Sequence, residues 1–135
     1  MSPRGRHAAR RLLLQALYQN QIAGHDSVEL RRQFDDSDEF STADSAYFHL
    51  LLDEILDDTD VLDQHIDALA DRPVAQIDPV ERAILWIGMA ELGAHPDVPV
   101  KVVINEAVEI AKEFGAQDSY RYINAILDKA SGELR

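Results

Sequence analysis

Apolar positions along this chain recur at intervals of three and four, the spacing that puts them on one face of an α-helix. Ala9, Leu12, Leu13, Ala16 and Leu17 make one such stripe, and Phe48, Leu51, Leu52, Ile55 and Leu56 make another. The pattern returns at Leu62, Ile66, Leu69 and Ala70, and again at Val100, Val103, Ile104, Ala107, Val108 and Ala111. Ile123, Ile126, Leu127 and Ala130 close the series. Segment 80–92, VERAILWIGMAEL, is apolar nearly all round and predicts a central, enclosed helix. Ahead of it, Asp78-Pro79-Val80-Glu81 reads as an N-cap, a first-turn proline and a capping-box glutamate. Gly93 and Gly115 stand where helices should end, with Pro96 blocking any continuation. A weaker helix fits 27–34, and 35–44, DDSDEFSTAD, reads as a polar loop. With no internal repeat, six or seven helices on short links predict an all-α bundle.

A length of 135 residues fits one domain, and 46% apolar content predicts a packed core rather than disorder. The absence of cysteine excludes disulfides, thiolate metal sites and thiol catalysis, and is compatible with a reducing cytosol. Apolar runs such as 12–14 and 102–104 are too short to span a bilayer. The arginine-rich, acid-poor start also suits a transit peptide. Against that stand Gln15, Gln19, Asn20 and Gln21, which interrupt a signal-type core in a segment otherwise patterned to pack.

Charge divides the chain unevenly. The formal net charge is -12, yet residues 1–25 hold four arginines and no acid. Residues 26–71 carry 15 acids against 2 bases, and residues 72–135 carry 10 against 7. An overall negative charge argues against a polyanionic partner at long range. Screening over about 8 Å at physiological salt nevertheless lets a basic patch act locally. The middle acids are read first as a solubilising face.

On a helical projection, Arg4, His7, Arg11, Gln15 and Tyr18 fall opposite the first apolar stripe, with Arg6 and Arg10 flanking them. Arginine forks match phosphate oxygens, glutamine can bond a base edge and tyrosine offers a stacking ring. The set therefore suits single-stranded RNA. It equally suits the solvated side of an amphipathic helix, with Tyr18 at the core edge. Catalytic chemistry finds no counterpart. The histidines at 7, 25, 49, 65 and 95 make no metal-binding pair, the acidic loop lacks a calcium register, and no nucleophile, phosphate-loop or dinucleotide motif is present. No cofactor or metal is implied, and the chain reads as non-enzymatic.

Three stretches carry a family resemblance. DPVERAILWIGMAEL (78–92) is followed by DVPVKVVINEAVEIAKEFGAQDSYRYINAILDKA (97–130), while Arg10-Arg11 through Ala16-Leu17-Tyr18 to Gln21 fits an RRxxxxALYxxQ opening. Together they resemble the NusB family of bacterial transcription antitermination factors. The resemblance implies a seven-helix all-α domain over 1–135, made of two small bundles. It implies binding to boxA-type single-stranded RNA together with NusE, a small-subunit ribosomal protein. It further implies a place in the antitermination complex on RNA polymerase, in the cytoplasm and away from membranes. By position, Arg4, Arg6, Arg10 and Arg11, with Gln15 and Tyr18 beside them, would meet RNA. Asp118, Arg121 and Tyr122 would complete that site, and Glu81 would lie at the NusE interface.

Each assignment has a structural counterpart: Asp118 as N-cap, Tyr122 at a core edge where phenylalanine also occurs, and Glu81 within its capping box. Asn105 and Asn124 are expected to bond backbone groups between helices. Two other functions stay open. One is a helical protein-interaction module without RNA contact. The other is the RNA-binding appendage of an rRNA methyltransferase, whose catalytic sheet this sequence does not include.

Overall fold

A computed structural model describes residues 3–135. Seven α-helices run in order: α1 (Pro3–Ala23), α2 (Ser27–Asp35), α3 (Ser45–Asp57), α4 (Thr59–Leu69), α5 (Pro79–Ala94), α6 (Val100–Phe114) and α7 (Ser119–Leu134). Short 3-10 turns occupy Asp38–Thr42 and Val74–Gln76, and the described residues include no strand. The chain divides into two compact units, the first ending at Asp57 and the second running from Asp58 to Arg135.

In the first unit α1 packs on α3 and on the 38–42 turn, while α2 packs on α1 and α3. The α1 stripe is buried as its spacing predicts, with Leu13, Ala16 and Leu17 fully enclosed. The helix at 27–34 is firmer than its composition suggests because Asp26 and Glu29 form a complete capping box. The Glu29 amide donates to Asp26 Oδ1 at 2.9 Å, satisfying one of the amides a helix start leaves unpaired.

The stretch 35–44 corrects the polar-loop reading. Asp35 ends α2, residues 38–42 form the turn, and Phe40 packs edge-on against Phe48 at 5.2 Å. Asp44 is buried rather than solvated. Its amide donates to Gly5 O at 2.9 Å, and its Oδ1 accepts from the Tyr47 amide at 3.1 Å. One acidic residue thus starts α3 and ties it to α1.

The second unit is built on α5, α6 and α7, which pack pairwise, with α4 against α5 and α7. Helix α5 is enclosed from Ala83 to Leu92, as the unbroken apolar run requires. Gly88 permits a close crossing, since a β-carbon there would lie 2.8 Å from both δ-carbons of Leu127. Trp86 is buried, and its Nε1 donates to Asp63 Oδ1 at 2.9 Å, while Arg82 Nε donates to the same oxygen at 3.1 Å. These bonds fasten α4 to α5 with a shared carboxylate.

Two boundary expectations change, and a third holds for a different reason. Helix α5 passes through Gly93 to Ala94, and its last carbonyls are capped from outside by Arg135, which donates to Leu92 O at 2.8 Å and His95 O at 2.7 Å. The Asp78 carboxylate accepts from Val80 N at 2.7 Å rather than from Glu81 N, so the box is only half made. Gly115 does cap α6, but in extended backbone at φ -86°. Space, not a left-handed turn, requires glycine there, because a β-carbon would sit 2.2 Å from Ser119 Oγ. Asn105 and Asn124 are both exposed, so neither occupies an enclosed space between helices.

Candidate nucleic-acid interface

Helix α1 carries its basic residues at different depths. Arg4 is exposed and Tyr18 is 40% exposed, while Arg6, His7, Arg11 and Gln15 are half-buried. Gln15 Nε2 turns back to Arg11 O at 3.3 Å. Arg10 departs from the expectation of a solvent-facing flank, being only 3% exposed. Its guanidinium lies 5.6 Å from the Tyr47 ring centroid, and that of Arg6, one turn earlier, lies 4.4 Å from the same centroid. Tyr47 is buried, so these cations rest on the π-face of a core residue of α3. The physical reason for Arg10's place is its register: position 10 sits beside Ala9 and Leu13, close enough to the apolar face to be drawn inside.

The start of α7 lies in the second unit, with Asp118 and Arg121 exposed and Ser119 buried. Asp118 occupies the N-cap position but makes no side-chain capping bond, and its backbone is left-handed at φ 67°. That conformation is strained for a residue with a side chain. The capping role anticipated for Asp118 is therefore absent; its carboxylate lies 3.8 Å from Arg121 Nε instead. Arg121, 73% exposed along its side chain, also donates from Nε to Tyr120 Oη at 3.2 Å. Lys112, from the last turn of α6, places its Nζ 5.0 Å from the Tyr120 centroid. Sequence reasoning missed Tyr120 and Lys112, since their meeting depends on how α6 returns into α7.

A further cation–ring pair lies in the same unit. The guanidinium of Arg72 covers the Tyr122 ring at 4.4 Å, and its Nε donates to Asp71 Oδ1 at 3.0 Å. The Tyr122 hydroxyl is shut off from solvent and has no hydrogen-bond partner among the described residues. Burial pushes the Tyr122 phenol above its usual range, and Asp71 and Glu81 push the same way against the pull of Arg72. Burial likewise raises the Glu81 carboxyl, with the Asp78 charge adding to it; Arg72 and a backbone bond from Asp78 oppose the shift. Arg72, Glu81 and Tyr122 are thus electrostatically coupled at the α5 and α7 starts.

Comparison with known proteins settles the family. The NusB family model matches residues 7–131. The chain belongs to the NusB family. A transcription antitermination protein NusB from Alcanivorax borkumensis is 45% identical over 134 residues, covering 99% of this chain and 89% of its own. Another NusB of that description, from Shewanella amazonensis, is 43% identical over 129 residues, covering 96% of both. The solved structure of T. maritima NusB superposes with a TM-score of 0.82 at 27% identity, covering 98% of this chain and 92% of that one. The all-α NusB architecture expected from the sequence is the one observed. No helix among the described residues is long and apolar enough to cross a membrane.

Proposed function

We propose that this chain is a non-catalytic transcription antitermination factor that binds boxA-type single-stranded RNA together with NusE. It acts in the cytoplasm as part of the complex on RNA polymerase. The observation carrying this reading is near full-length similarity to proteins described as transcription antitermination NusB. Exposed arginine and tyrosine side chains on α1 and at the α7 start support it. Arg4, Arg6 and Arg11 meet phosphates, with Gln15 and Tyr18 at bases, while Arg10 holds α1 in place from beneath. Asp118, Arg121 and Tyr122 contribute from the second unit, and Glu81 takes part in the NusE contact.

Charge supports a cooperative mechanism. An acidic body weakens RNA binding by the chain alone, and a basic partner cancels that field while adding its own phosphate contacts. The test is fluorescence anisotropy of a labelled boxA-type RNA with the protein alone, with NusE, and with NusE plus the Arg4→Glu/Arg11→Glu variant. Salt-sensitive binding that tightens with NusE and weakens in the variant is expected. Equal affinity with and without NusE would overturn the cooperative mechanism. Absence of RNA binding in every arm would leave the family assignment and move the reading to a protein-interaction module.

A further inference from the structure

Resting on the RNA-binding reading, we propose that Arg72 is an RNA-contacting residue whose guanidinium, stacked on Tyr122, forms the platform for one nucleobase. The position of Arg72 is fixed from three sides. Val74 N donates to Asp67 Oδ1 at 2.7 Å, anchoring the loop that carries Arg72 to the end of α4. The Tyr122 ring lies beneath the guanidinium at 4.4 Å, and Asp71 holds Nε at 3.0 Å. Among the described residues no hydrogen bond reaches the two terminal nitrogens of Arg72, and its side chain is 41% exposed.

Tyr122 fits the role of an underlay. Its hydroxyl is enclosed and unpartnered, so the residue offers a ring and no polar contact. The guanidinium, its Cζ 4.4 Å from the centroid of that ring, is itself planar and cationic, a group on which any base can stack. Phosphate is the less suitable ligand here. Asp71 and Glu81 both act electrostatically on Arg72, and their charges repel a phosphodiester while leaving a neutral base unopposed. The adjoining strained Asp118 and exposed Arg121 lie on the same helix start as Tyr122.

The experiment measures binding of a labelled single-stranded RNA of about 12 nucleotides, with saturating NusE, to wild type, Arg72→Ala, Arg72→Lys and Arg4→Glu/Arg11→Glu. Each is paired with RNAs bearing one abasic residue at successive positions. Arg72→Ala should bind about tenfold more weakly, the scale of one missing base stack. Arg72→Lys should behave like Arg72→Ala, because a charge without a plane does not stack. One abasic position should weaken wild type by the same factor and cost nothing further in Arg72→Ala. Thermal midpoints of the Arg72 variants should stay within a few degrees of wild type, so that the loss of affinity is not a loss of folding. Wild-type affinity in Arg72→Ala, with weaker binding in Arg4→Glu/Arg11→Glu, would overturn this assignment and leave RNA binding intact. Wild-type affinity in Arg72→Lys would overturn the planar platform. No binding by wild type would overturn the RNA reading and this inference with it.

Discussion

Two arginine–tyrosine stacks show how burial decides what the same chemistry is for. In the first unit Arg10 lies against Tyr47, and both side chains are within the fold. In the second, Arg72 lies over Tyr122 with much of the guanidinium arm in solvent. Cation–π attraction is common to both pairs. The enclosed pair joins α1 to α3 and has no face left for a ligand, whereas the open pair keeps a cationic plane available. A basic residue in a binding helix is therefore not by itself a binding residue.

The largest effect is expected from reversing the charge at the enclosed site. Arg10→Glu places a carboxylate where a buried cation sat, and should lower the free energy of unfolding by about 3–5 kcal/mol, as read by urea denaturation. Arg4→Glu, on the exposed end of the same helix, should change it by less than about 0.5 kcal/mol. Similar destabilisation in both variants would show that depth does not separate the two arginines.

The next effect concerns how the second unit holds α5 still. Asp63→Ala leaves the buried Trp86 Nε1 and the Arg82 fork without their shared acceptor. A destabilisation of about 1–3 kcal/mol is expected by the same denaturation measurement. Tyr122→Phe should be smaller and opposite in sign, a gain of less than about 1 kcal/mol, because it removes an enclosed hydroxyl that has no partner. RNA affinity should be unchanged in that variant, since the ring remains.

The smallest effect is a pH dependence. The Glu81 carboxyl is raised by burial, so its protonated form favours the folded state. That contribution is complete below the unfolded-state value and is lost as pH rises through the folded-state one. Glu81→Gln should flatten the stability curve just above the ordinary carboxylate range, followed by thermal midpoints. A slope as steep as that of wild type would place the titrating group elsewhere.

Much of this was legible because helical spacing is a local property. The stripes on α1, α3, α6 and α7 and the enclosed run of α5 were all visible in the order of apolar residues. What spacing cannot carry is tertiary return. Phe40 sits in an acidic stretch and still packs on Phe48; Asp44 reads as loop and serves as a buried clasp. The candidate site divides in the same manner. Arg4, Tyr18 and Arg121 are exposed where the pattern put them, while Arg10 lies one position nearer the core than a flank suggests. Arg72 and Lys112 gave no signal, since each gains meaning only from a ring supplied by α7.

Salt dependence decides whether Arg4 and Arg11 of α1 meet RNA phosphates while the enclosed Arg10 does not. RNA affinity would be measured across a salt series, with NusE present, for wild type and for Arg4→Gln/Arg11→Gln. Removing two arginine–phosphate interactions with a single strand should make the logarithmic slope shallower by about 1.4. Parallel lines with unchanged affinity would contradict the account and return those arginines to the solvated side of the helix.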